Sequence, residues 1–149
     1  MSTRGAAWAE RARRELAARG HRSGEARSAV IDALAEHDGC CTAGDLAGLM
    51  RREGGSVGTA SVYRALSALQ EADLLRALDL GEGERRYELV HEDGEHHHHV
   101  VCDRCGDTTA FHDDRLERSI ADLARRLEWQ VDAHDVVLHG TCARCAARG

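Results

Sequence analysis

The residues of this 149-residue chain best equipped for chemistry are two cysteine pairs, Cys102/Cys105 and Cys142/Cys145, and a run of four histidines, His96 to His99. Thiolate and imidazole are the side chains that best bind late first-row metals. The two-residue gap lets both thiolates of a pair face one ion, and Gly106 relieves the tight turn after the first pair. Four such thiolates make a closed, tetrahedral structural zinc site with bonds of about 2.3 Å. Thirty-six residues separate the pairs, more than in a simple zinc ribbon, so an ion there would pin the end of the last strand to the first turn of its sheet. Disulfides, a thioredoxin-like redox motif and rubredoxin-like iron are the other readings of the same spacing. A redox motif is normally single and opens a helix after a strand, and this setting differs.

The histidine run is internal and leads directly into a strand, which sets it apart from a purification tag. On a strand, successive side chains face opposite ways. His96 and His98 therefore point to one side, His97 and His99 to the other, and one run can feed two metal sites. Glu88 is a candidate third ligand for one of them. Glu117 and His134 are candidates for the other. A solvated polar edge is the alternative.

Elements must position these donors. Trp8 to Arg19 is an Arg/Ala/Glu helix ending at Gly20. A second helix, about Gly24 to His37, carries Ala26, Val30, Ile31 and Leu34 at helical spacing. Thr42 caps a third, Ala43 to Arg52, with Asp45 at N3. A fourth starts near Thr59 and buries Val62, Leu66 and Leu69, turning Ser61, Tyr63, Arg64 and Ser67 outward. Leu74–Leu78 and Arg85–Leu89 read as a hairpin around Gly81-Glu82-Gly83. Three helices followed by a two-stranded hairpin read as a winged helix-turn-helix, or as a small helical bundle that carries a hairpin. Beyond it, strands at 97–101 and 108–111, an amphipathic helix from Asp113-Asp114 to Leu127 and an alternating strand at 131–139 form a β-β-α-β unit. Its exposed helix stripe and sheet edge suit dimerisation. The fold class is α+β, with a winged-helix domain at 1–90, a hinge at 91–96 and a dimerisation and metal-binding domain at 97–149.

Charge qualifies the picture. The net charge is −6, and the chain has no lysine. Residues 1–27 nevertheless hold 7 Arg against 3 acidic residues, while residues 81–149 hold 9 against 15. The basic arm bears on nucleic-acid binding more than the total does. No run of 18 apolar residues and no charged-then-apolar leader is visible, so a cytoplasmic protein without membrane contact is expected. In that compartment paired cysteines favour zinc over disulfides.

Taken together, Thr59-Ala60-Ser61-Val62-Tyr63-Arg64-Ala65-Leu66, Arg86-Tyr87-Glu88-Leu89, the four histidines followed by Cys102-x-x-Cys105-Gly106, His134 and Gly140-Thr141-Cys142-x-x-Cys145 resemble the ferric uptake regulator family. The resemblance runs from about Leu16 to Cys145. It implies an N-terminal DNA-binding domain, a C-terminal dimerisation domain and a metal at the hinge that locks the dimer in a DNA-binding posture. It further implies structural Zn2+ on Cys102, Cys105, Cys142 and Cys145, a hinge sensor site on Glu88, His97 and His99, and an additional site on His96, His98, Glu117 and His134. Tyr63 and Arg64, with Ser61, fall at the DNA-reading helix, and Arg22, with Arg27 and other arm arginines, at the DNA backbone.

There are departures. A histidine common ahead of the third helix in iron sensors is Cys40 here, beside Cys41. An acidic residue common before Phe111 is Ala110, and a cysteine that many zinc sensors carry after the wing is Val90, next to His91. Cys40, as a ligand, would be a soft donor favouring zinc; a small buried filler is its other reading. The implied function is a homodimeric repressor that binds a double-stranded DNA operator and controls metal uptake, with Zn2+ or Fe2+ as co-repressor. Sensing of Mn2+, Ni2+ or peroxide is the alternative within the family. A metal-dependent hydrolase and a metal buffer are the rival classes. No His-Glu-x-x-His, nucleophile elbow or phosphate loop supports an enzyme, and no small-molecule substrate is expected.

Overall fold

α1 (Thr3–Ala18) starts well ahead of Trp8, because the Ser2 hydroxyl accepts from Gly5 N–H and caps it. Gly5 also lies hard against α2 (Glu25–Glu36): a Cβ there would stand 2.1 Å from the Ala35 carbonyl oxygen. Trp8, Ala9, Ala12 and Leu16 form the buried stripe of α1. The computed structural model describes residues 2–37, 39–81, 83–92 and 97–148, and the chain divides into two units, 1–95 and 96–149. The proposed hinge residues Asp93 to Glu95, and His96, lie outside the described residues.

In the first unit, β1 (Cys41–Thr42) leads into α3 (Ala43–Arg52), whose capping box is complete: Asp45 N–H donates to the Thr42 hydroxyl, and Thr42 N–H donates to the Asp45 carboxylate. α4 (Thr59–Glu71) buries Val62, Leu66 and Leu69 against the core and leaves Tyr63 half exposed. The wing is β2 (Leu75–Asp79) against β3 (Arg85–Leu89), antiparallel. β1 adds a third strand, giving the order β1-β3-β2. A two-residue strand has too little sequence for any periodicity, so a plain hairpin was the expectation. The Trp8 indole N–H donates to the Leu74 carbonyl, tying α1 to the start of the wing.

In the second unit, β4 (His98–Cys102) lies between β5 (Thr108–Phe111), antiparallel, and β6 (Val137–Gly140), parallel. α5 (Asp114–Arg126) is capped by the Asp113 carboxylate. The expected strand at 131–139 shortens to Val137–Gly140. β6 pairs with β4 from His99↔Val137 to Cys102↔Gly140. A one-turn helix, α6 (Ala143–Ala146), follows and carries Cys145. α5 buries none of its residues: Leu116, Ile120 and Ala124 are half-buried, and Leu123 and Leu127 are exposed. Val100 and Leu138, partners on adjacent strands, are exposed as well. None of the described helices is long and apolar enough to cross a membrane.

Candidate metal centres and nucleic-acid interface

The first cysteine pair sits where β4 ends. Gly106 N–H closes the knuckle onto the Cys102 carbonyl at 2.8 Å, with Gly106 at φ +72, a conformation that favours glycine. Asp103 N–H donates to the Gly140 carbonyl, fastening the knuckle to the end of β6. Cys142 caps α6, its N–H donates to Cys102 Sγ at 3.3 Å, and Arg104 donates to the Cys145 carbonyl. All six cysteines are free thiols. The sulfurs of Cys102, Cys105, Cys142 and Cys145 all lie within 4.8 Å of one another, with Cys105 and Cys142 at 3.8 Å. Thiolates around one zinc at about 2.3 Å would stand about 3.8 Å apart at tetrahedral angles.

The donor chemistry also fits. The Cys142 N–H draws the Cys102 thiol down to about 6, so this sulfur is anionic near neutral pH. Cys145 is pushed up to about 12, chiefly by its hydrogen bond to the Cys105 sulfur, and so retains its proton until a metal displaces it.

A second donor group gathers above β4. His98, fully buried, reaches Glu117 Oε1 of α5 through Nε2 at 2.7 Å, and His134 Nε2 reaches Glu117 Oε2 at 2.9 Å. The three donors lie within 4.8 Å of one another. Val136 N–H donates to His98 Nδ1, so in the neutral ring Nε2 carries the proton and donates it to Glu117. Phe111 flanks the His98 ring at 5.5 Å between centroids. Neither Phe111 nor the Val136 amide has a signature in the sequence; both follow from strand pairing.

The remaining candidate ligands are divided between the units. His97 precedes β4 and is half-buried, and His99 is buried within β4. Glu88 lies on β3, 7% exposed, with an Arg76 guanidinium N–H donating to Oε2 at 3.2 Å from the neighbouring strand. β1 pairs Thr42 with Arg86 and Cys41 with Tyr87. Cys40 immediately precedes β1, close enough to Glu88 to feel its charge. Burial raises the Cys40 thiol, Arg86 lowers it, and the Glu88 carboxylate raises it again. Cys41 turns to the core, where burial pushes it up to about 12.

On the outer side of the first unit, Arg22, Gly24, Arg27, Ser61 and Arg64 line a shallow basin of about 190 Å³ between the start of α2 and α4. Arg64 donates to the Ser61 hydroxyl and Arg27 to the Arg22 carbonyl. Tyr63 stands out beside them. Three other arm arginines make contacts within the first unit. Arg11 is buried and donates to the Val90 carbonyl, Arg13 pairs with Asp32, and Arg19 donates to the Glu71 carbonyl. Of these, only Arg11 lies on the packed side of α1, which turns it towards the end of the wing.

Comparison with known proteins agrees with this architecture. The model of the ferric uptake regulator family matches residues 18–139. The ferric uptake regulation protein of Neisseria gonorrhoeae is 30% identical over 124 residues, 83% of this chain and 85% of that one. Among solved structures, the Vibrio cholerae ferric uptake regulator superposes with a TM-score of 0.75 at 26% identity, covering 85% of this chain and 96% of its own. A zinc uptake regulator complexed with zinc and DNA superposes at 0.63 with 25% identity, covering 99% and 98%.

Proposed function

Because the chain belongs to the ferric uptake regulator family, whose members are metal-responsive transcription regulators and not enzymes, we propose that it is a cytoplasmic, homodimeric repressor of metal-uptake genes with Zn2+ or Fe2+ as co-repressor. The observation that carries this reading is the convergence of His98, Glu117 and His134 on one another in a chain that also presents Arg22, Arg27, Ser61 and Arg64 around one basin at the reading helix.

Three roles follow for the metal donors. Cys102, Cys105, Cys142 and Cys145 hold a structural Zn2+, which supplies a cross-link between the ends of β4 and β6. His98, Glu117 and His134, with His96, hold a second ion that fastens α5 to the sheet. Glu88, His97 and His99 hold the regulatory ion, an assignment supported by the resemblance in sequence. Cys40, which feels the Glu88 charge, adds a soft donor and tilts the choice towards zinc. A ligand set drawn from both units favours one arrangement of them, so metal shifts a population rather than creating a new state.

For DNA, Arg22 and Arg27 supply phosphate contacts, and Ser61, Tyr63 and Arg64 approach base edges. Two copies joined through α5 and the exposed Val100–Leu138 face present two reading helices to the half-sites of a pseudo-palindrome. The test starts from duplex DNA selected out of a random pool by the metal-loaded protein. Wild-type protein should bind it only with metal. His97→Ala and His99→Ala should abolish that dependence while leaving a folded dimer. An unchanged metal response in both variants would overturn the switch assignment. Metal uptake with no effect on DNA affinity would instead indicate a buffer.

A further inference from the structure

Glu88 is a buried carboxylate, and burial of a charge requires a compensating partner. The structure supplies one: Arg76 stands directly across the β2–β3 ladder and donates to Glu88 Oε2 at 3.2 Å. The two side chains differ in their access to water. Glu88 is 8% exposed and Arg76 36%. Arg76 sits on β2, the outer strand of the order β1-β3-β2, while Glu88 is held on the central strand. The guanidinium therefore has a route to solvent that the carboxylate lacks. The guanidinium and the carboxylate are within ion-pair distance, 3.2 Å. A divalent ion arriving at Glu88 meets a positive charge already seated there.

We propose that Arg76 is a resident cation on Glu88, which the regulatory metal must displace and which thereby sets the metal concentration at which the protein responds. The inference rests on the reading of Glu88 as a regulatory ligand. A supporting arginine that merely orients Glu88 would act with the opposite sign, since its loss would weaken metal binding. A competitor's loss strengthens it. The sign of the effect separates the two roles.

The experiment uses the full chain with its cysteine cluster already zinc-loaded. Zn2+ affinity is measured by competition with a chromophoric chelator, and DNA occupancy is followed against free Zn2+. Arg76→Gln should bind regulatory Zn2+ about tenfold more tightly and occupy DNA at about tenfold lower Zn2+, the range over which contacts around metal ligands act. Arg76→Lys, which keeps the charge, should stay close to wild type. In a Glu88→Gln background, Arg76→Gln should have no further effect. Circular dichroism checks folding, with Arg76→Met as the substitute if the Gln variant is not folded. Unchanged or weakened Zn2+ affinity in a folded, neutral Arg76 variant overturns the proposal while leaving Glu88 as a ligand. A full metal response in Glu88→Gln alone removes Glu88 from the site, and the proposal falls with that reading.

Discussion

His98 Nε2 and Glu117 Oε1 lie 2.7 Å apart, joining the middle strand of the second unit to a helix that buries none of its own residues. Glu117 uses its other oxygen for His134, so one carboxylate organises two imidazoles from β4 and from the segment before β6. These hydrogen bonds tie α5 to β4 and to the segment before β6.

Glu117 is accordingly the residue on which this site depends. Glu117→Gln retains size but loses the charge that both imidazoles share. Its site should lose metal affinity by on the order of 100-fold, at least the effect of disturbing a ligand's support. Metal stoichiometry by mass spectrometry should fall by one equivalent per chain while the cysteine-bound zinc remains. Unchanged stoichiometry would show that the three residues form a hydrogen-bonded brace and not a metal centre.

Removing a sulfur should do more damage. Cys102 closes the knuckle and receives the Cys142 amide. Cys102→Ser should release the zinc and leave the second unit melting before the first, because binding free energy in such sites is folding free energy. Calorimetry should resolve two transitions where the wild type shows them closer together. Retained zinc and an unaltered melting profile would contradict the structural assignment.

Acid should release the same ion in a defined window. The folded state lowers the Cys102 thiol from 9.0 to about 6, so the stabilisation linked to its thiolate is complete above the ordinary thiol value and is lost as pH falls through about 6. Protons then compete with metal. Zinc transfer to a chelator should rise as pH falls, and zinc uptake near neutral pH should expel the proton of Cys145, whose thiol the neighbouring sulfurs push up. Calorimetry in buffers of different ionisation enthalpy counts that proton. Release that does not vary with pH, or uptake without proton release, would count against the thiolate cluster.

The DNA surface has its own signature. Arg27 and Arg22 line the basin beside α4, whereas Arg11 is buried inside the first unit. Arg27→Ala should weaken binding to all sequences alike and reduce the salt slope of log K by about 1. Arg64→Ala should relax sequence preference as well. Arg11 should have no direct effect on the salt slope. A loss of slope on replacing Arg11, with none on replacing Arg27, would redraw the interface.

Much of this arrangement was legible in the chain because it is local. The capping box of Thr42 and Asp45, the inward stripe Val62, Leu66 and Leu69, the hairpin strand Arg85–Leu89 and the two-residue spacing of each cysteine pair all depend on neighbours a few positions apart. The alternation of a strand assigned His98 to one face, and that face is where Glu117 and His134 are found. What local pattern does not encode is which distant backbone arrives alongside. The two residues of β1 become a strand only because β3 is there to pair with, and that pairing brings Cys40 within reach of the Glu88 charge. The segment before Val137 alternates like a strand and is not one; alternation alone does not supply the neighbouring backbone that a ladder needs. The arginines of α1 read as a basic arm, yet packing turns Arg11 onto Val90 and Arg13 onto Asp32. Donor types and their spacing along the chain belong to the sequence; which charges are already taken is decided by tertiary packing, since a hydrogen bond needs its partner within about 3 Å in space however far away it lies along the chain.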